Sequence, residues 1–151
     1  MNVNNPSYHL VHEALLHLLP GIAKIIRAPY YLTADTVLSA LKQVGVEITL
    51  ESIRPRPDES DINDDEIYKV VFEGHEDFHS GELLIETHAC SGFDMENFRC
   101  ESNKLKQFVH DYPGEYLQIF DHDAIFLAPS SRTITVVHHE AAFGHFRIPH
   151  L

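Results

Sequence analysis

Two apolar runs near the end of the chain, AIFLA (Ala124–Ala128) and TITVVHH (133–139), are separated only by Pro129-Ser130-Ser131-Arg132. Four residues cannot hold a crossover, which takes a dozen or more, so the two runs are expected to pair antiparallel. YLQIF (116–120) precedes them across Asp121-His122-Asp123, and AAFGHFRI (141–148) follows directly, which extends the expected meander in both directions.

The first third of the chain has a different period. Asn5-Pro6-Ser7 opens a helix, with Pro6 at the first position, where its missing N–H costs nothing. Val11, Leu15, Leu18, Leu19, Ile22 and Ile26 then fall on one stripe, which Pro20-Gly21 should break. Thr33 caps a second helix that runs to Gly45 and buries Val37, Leu38, Leu41 and Val44. At Val46 the period changes to two: Val46, Ile48 and Leu50 alternate with polar residues, and further strands are expected at 66–73 and 82–89. A third helix is expected from an Asp94 cap to about Tyr112, with Met95, Phe98, Leu105 and Val109 on its apolar side. The sum is one α+β domain over residues 1–151. It is a mainly antiparallel β-meander with three helices, two N-terminal and one between the strand groups, packed on one face. A chain of 151 residues can bury roughly 68–70% of its extended surface, so such a domain needs no disulfide or metal to hold it.

Charge narrows the partners. Asp and Glu number 23 against 11 Lys and Arg, a net −12, so nucleic acid and anionic membranes are repelled and basic proteins attracted. No apolar run approaches 18 residues, which excludes a helical membrane span. The start, MNVNNPSYHL, carries no basic leader and the first base is Lys24, so a cytoplasmic location is expected, with Cys90 and Cys100 as reduced thiols. Twelve histidines are the second unusual count, and they make the charge pH-dependent.

Several patterns look chemical. His75-Glu76-Asp77-Phe78-His79 spells H-E-x-x-H, which binds zinc when a helix aims both histidines at one ion. Gly74 and Gly81 bracket it between two expected strands, so it is read as an exposed hairpin connection. His9, Glu13 and His17 share a helix face opposite the apolar stripe and read as a solvated surface. His88, Cys90, Cys100 and His110 are the right inventory for zinc, but Cys100 and His110 would lie ~15 Å apart along the third helix. Asp61-x-Asn63-x-Asp65 begins like a calcium loop yet has Glu66 where Gly is needed and Phe72 where the bidentate Glu is needed.

Two groups remain. Asp58, Glu59, Asp61, Asp64, Asp65 and Glu66 form an acidic loop suited to contacting a basic partner. Asp121, His122 and Asp123 on one hairpin and His138, His139 and Glu140 on the next could converge as a polar cleft or a metal site, for which Zn²⁺ is the fitting ion. No cofactor fingerprint is present and no catalytic residue can be assigned. The expected function is a small acidic binding protein that recognises or inhibits a basic protein, in the manner of an immunity protein. The alternative is a metal-dependent hydrolase using the C-terminal His/Asp/Glu cluster.

Overall fold

The computed structural model describes residues 10–19, 32–53, 63–88, 90, 96–112, 119–120 and 122–150. Its centre is the expected hairpin: β4 (Ala124–Ala128) pairs antiparallel with β5 (Thr133–His138), Phe126 opposite Thr135. Every residue of both strands is buried. Such strands must be covered on both sides, and they are. Leu84, Ile125, Leu127, Ile134, Val136 and Phe146 point toward helices α1 (Leu10–Leu18) and α2 (Ala34–Gln43), meeting Val11, Leu15, Val37 and Leu41. Leu83, Ile85, Ala124, Phe126, Val137 and Phe143 point the other way, toward Ile67 and Val71 of α3 (Asp64–Phe72) and Leu105 and Val109 of α4 (Leu105–Asp111). The α+β class is as expected; the helices, however, lie on both faces instead of one.

The sheet is antiparallel throughout. Its order is β1 (Glu51–Ser52), β6 (Ala142–Arg147), β5, β4, β2 (Glu82–Glu86), β3 (Phe98–Glu101).

Four expected elements differ, the first being YLQIF, of which the described residues Ile119 and Phe120 lie in a turn and not in a strand. Of the strand expected at 66–73, residues 66–72 belong to α3 and Glu73 is its C-cap, because Ile67, Tyr68, Val71 and Phe72 are buried at helical spacing and Asn63 caps the helix by accepting from Glu66 N–H at 2.9 Å. Residues 98–101, placed in the third helix, form edge strand β3, in which Phe98 and Cys100 are half-buried and Arg99 and Glu101 exposed. A short 3₁₀ turn (Ser102–Lys104) then leads into α4. Val46 and Ile48 do pack on the α1–α2 core, but 46–50 joins no ladder and only Glu51–Ser52 pairs with β6. The helix opening at Asn5, the Pro20-Gly21 break and the Asp94 cap lie outside the described residues.

Thr33 caps α2 as expected, accepting from Thr36 N–H, and Gly45, at φ +91°, ends it. Gly45 N–H reaches Lys42 O and Val46 N–H reaches Leu41 O, the paired bonds of a Schellman motif. Beneath α1 and α2 a polar pair takes up backbone N–H groups at their N-terminal ends. Buried Glu86 accepts from Leu32 N–H at 2.8 Å and from the Asn97 amide at 3.1 Å, while the Asn97 carbonyl accepts from Val11 N–H at 3.0 Å. Burial pushes the Glu86 carboxyl up to about 7, against the pull of those two donors. Both cysteines are free, and burial pushes each thiol up to about 11, which keeps them unreactive at neutral pH.

Candidate functional site

The end of β5 and the residue before β4 meet at the start of α2. Asp123 Oδ2 accepts Ala34 N–H at 2.8 Å, serving one of the helix's unpaired first-turn donors. Its other oxygen accepts both the backbone N–H of His139 at 2.8 Å and the His139 ring at 2.9 Å. Burial alone would raise the Asp123 carboxyl, but the bonds from Ala34 and His139 outweigh it and hold the group below its usual range. The bond to Asp123 raises the exposed His139 imidazole in return.

His138 faces the same corner, its ring stacked on that of His139 at 4.2 Å. Its Nδ1 accepts Glu140 N–H at 3.1 Å, so the hydrogen sits on Nε2 and is donated to Asp35 Oδ1 at 2.9 Å. Asp35 lies in the first turn of α2, 103 positions away in sequence, and sequence reasoning did not associate it with this corner. Among the described residues, Asp123, His138 and His139 are the group whose ligand atoms could hold a metal, each within 4.8 Å of the others.

Of the six residues expected here, three therefore converge. His122 instead stacks on His88 at 4.1 Å, Glu140 contributes its backbone N–H while its side chain is exposed, and Asp121 lies outside the described residues.

The H-E-x-x-H segment is not helical; it links α3 to β2, so its two histidines cannot act as a helical zinc pair. His75, Glu76 and Asp77 are exposed, as expected, but His79 is buried against β5. Its Nδ1 is 2.7 Å from Thr133 Oγ1 and its Nε2 2.7 Å from Thr135 Oγ1. Thr135 Oγ1 also lies 2.7 Å from His145 Nδ1, whose Nε2 is 2.7 Å from the carbonyl of Val71 on α3.

The polarity of this chain is determined. A carbonyl only accepts, so His145 carries its hydrogen on Nε2 and, when neutral, accepts at Nδ1 from the Thr135 hydroxyl. The Thr135 oxygen then accepts from His79 Nε2–H, and His79 Nδ1 accepts from Thr133, whose oxygen takes the hydroxyl hydrogen of Ser131 at 2.7 Å. Both rings must be neutral for this, and burial ensures it: His79 is pushed down to about 4, and His145 is lowered. Every nitrogen of His79 is thus committed to holding the α3–β2 segment on the sheet, leaving none for a metal.

The acidic segment is a helix start where it is described. Asp64 accepts from Ile119 and Phe120 N–H at 3.0 and 3.4 Å, Asp65 pairs with His110 at 3.1 Å, and with Glu66 they place negative charge in the first turn of α3, where the helix dipole favours it. Asp58, Glu59 and Asp61 lie outside the described residues.

Comparison of the chain with protein-family models, with curated proteins and with solved structures gives no match.

Proposed function

We propose that the chain is a binding protein whose acidic surface receives a basic protein partner. The observation that carries this is the −12 charge together with a group of exposed carboxylates around one spot. Glu73 and Glu76 both act on Tyr68, Glu51 acts on His145, and the His145 ring lies tilted against that of His75 at 4.7 Å, with Asp77 exposed in the same connection. Asp58, Glu59, Asp61, Asp65 and Glu66 belong to the same proposal as the segment leading into α3. Asp64 does not serve as a probe, because its carboxylate holds the 119–120 turn. Such a surface raises the association rate more than it slows dissociation. With the partner captured and purified, Glu73→Lys with Asp77→Lys should slow association at low salt by at least tenfold; an unchanged rate constant removes this face from the interface.

A second reading has its own observation, the converging ligand atoms of Asp123, His138 and His139. Their donor set, one carboxylate and two imidazoles, suits Zn²⁺ and leaves a coordination position open for water, which a hydrolase requires. Ligation by His138 through Nδ1 would keep Nε2–H on Asp35 as the outer-shell carboxylate, at the loss of the Glu140 N–H bond. Titration with Co²⁺ tests it: a tetrahedral visible spectrum lost in Asp123→Ala supports the centre, and an octahedral, unaltered spectrum excludes it.

A further inference from the structure

The groove between α3 and α4 stands out against the charge of the whole. It measures about 560 Å³ and is lined by Lys69, Lys104 and Lys106, together with Tyr68, Asn103 and His110. Three of the chain's five lysines therefore converge on one concavity of a molecule that carries −12. All three are exposed, and among the described residues none forms an ion pair. Ordinarily lysines on an acidic protein are spread among the carboxylates they neutralise. Of the neighbouring acids, Asp65 lines the groove and is bonded to His110, Asp111 takes the Gln107 amide, and Glu73 and Glu76, which act on Tyr68, stand outside the lining.

We propose that this groove is a binding site for a small phosphate-bearing anion. Its lining carries three ammonium groups against the single carboxylate of Asp65, a local excess of two positive charges, and Asn103 adds an amide donor. Lysine recognises phosphate as a point charge and does not require the planar fork geometry a carboxylate pair would favour. The volume falls within the ordinary range for small-molecule clefts, roughly 300–1,000 Å³. A nucleic-acid strand is disfavoured, since a long polyanion leaving the groove would run over the acidic surface, whereas a small ligand stays inside the positive zone.

The test uses the full-length ¹⁵N-labelled protein titrated with pyrophosphate and, separately, with inorganic phosphate, each against sodium chloride at matched ionic strength. Saturable amide shifts confined to α3 and residues 102–110 are expected, with pyrophosphate at least fivefold tighter than phosphate. Lys104→Gln with Lys106→Gln should weaken pyrophosphate at least tenfold, while Lys42→Gln, which alters an exposed lysine of α2 outside the groove, should not. Shifts that fail to saturate, that chloride reproduces, or that survive the double substitution would overturn the site. Tighter binding of phosphate than of pyrophosphate would limit the groove to a single phosphoryl group and overturn the polyanion preference.

Discussion

Glu86→Gln should change how stability depends on pH, because it removes the buried carboxyl that is pushed up to about 7. In the native protein Glu86 is pushed up to about 7 from 4.5, so between those values the folded chain keeps a proton that the unfolded chain has lost. Folding is therefore weakened as pH rises from 4.5 to 7, by about 3 kcal/mol at ~1.4 kcal/mol per pH unit. His79 acts in the opposite sense over nearly the same range. Pushed down to about 4 from 6.5, it stays neutral in the fold while the unfolded chain protonates, which costs about 3 kcal/mol as pH falls from 6.5 to 4. The two slopes nearly cancel in the native protein. With Gln at position 86 the first slope disappears and that of His79 is exposed. Gln also brings its own cost: Leu32 N–H and the Asn97 amide both donate to Glu86, and an amide can accept from only one of them without confronting a second donor. That mismatch costs ~1–3 kcal/mol and does not vary with pH. Urea unfolding followed by circular dichroism, since the chain has no Trp, should show the variant losing about 3 kcal/mol relative to the native protein between pH 7 and 4.5. Parallel stability curves, within roughly 0.5 kcal/mol across that window, would mean that Glu86 is ionised in the fold at ordinary pKa and would refute the reasoning.

Thr135→Val removes the hydroxyl shared by buried His79 and half-buried His145, leaving His79 Nε2–H without an acceptor and His145 Nδ1 without a donor. A cost of ~2–5 kcal/mol is expected by urea unfolding, and a loss below 0.5 would disprove the hydrogen-bond chain. Imidazole nitrogen spectra at pH 7 should show both rings neutral with the hydrogen on Nε2; the opposite tautomer at His145 would break the assigned polarity. Gly81→Ala should destabilise by ~1–3 kcal/mol, because φ is +79° there and a Cβ would stand 2.4 Å from Ser130 Oγ, which thermal unfolding would detect. Asp123→Asn should return the raised His139 titration toward its ordinary value in a proton NMR pH series, and an unmoved curve would sever the pair.

The fold class was legible because its strongest signals are local. Four residues between AIFLA and TITVV leave no alternative to a hairpin, and Thr33 and Gly45 mark both ends of α2. The placement of helices on both faces was also written in the strands: ELLIE and AIFLA do not alternate, and a strand without alternation has no solvent side. What failed were segments whose composition and spacing disagree. IYKVVF is rich in β-branched and aromatic residues, yet the burial of Ile67, Tyr68, Val71 and Phe72 follows the helical period, and packing against Val109 and Phe126 overrode propensity. FRCE alternates as a strand does, but it sits beside the apolar residues that continue into α4, so two short elements merged into one long expected helix.

The site was legible in part for a similar reason. Asp123, His138 and His139 flank one hairpin, and the register Ala124 to Val137 brings them together as counting along two strands suggests. Asp35 could not be found that way, because α2 reaches the corner only through tertiary packing on β5. His79 was misplaced because two flanking glycines suggest an exposed turn. The corrective signal lay elsewhere in the chain. Thr133 and Thr135 are the hydroxyl-bearing members of a strand buried on both faces, and a buried hydroxyl without a partner costs ~1–3 kcal/mol. Two such hydroxyls on the same face of β5 require a side chain able to meet both. A single imidazole can bridge them, since its two nitrogens face opposite ways, one accepting and one donating. His79, carried over that face by the α3–β2 connection, and His145, directly across from Thr135 on β6, meet the requirement together. Burial keeps both rings neutral, and with the rings neutral the carbonyl of Val71 at the far end leaves the chain of bonds only one direction in which to run.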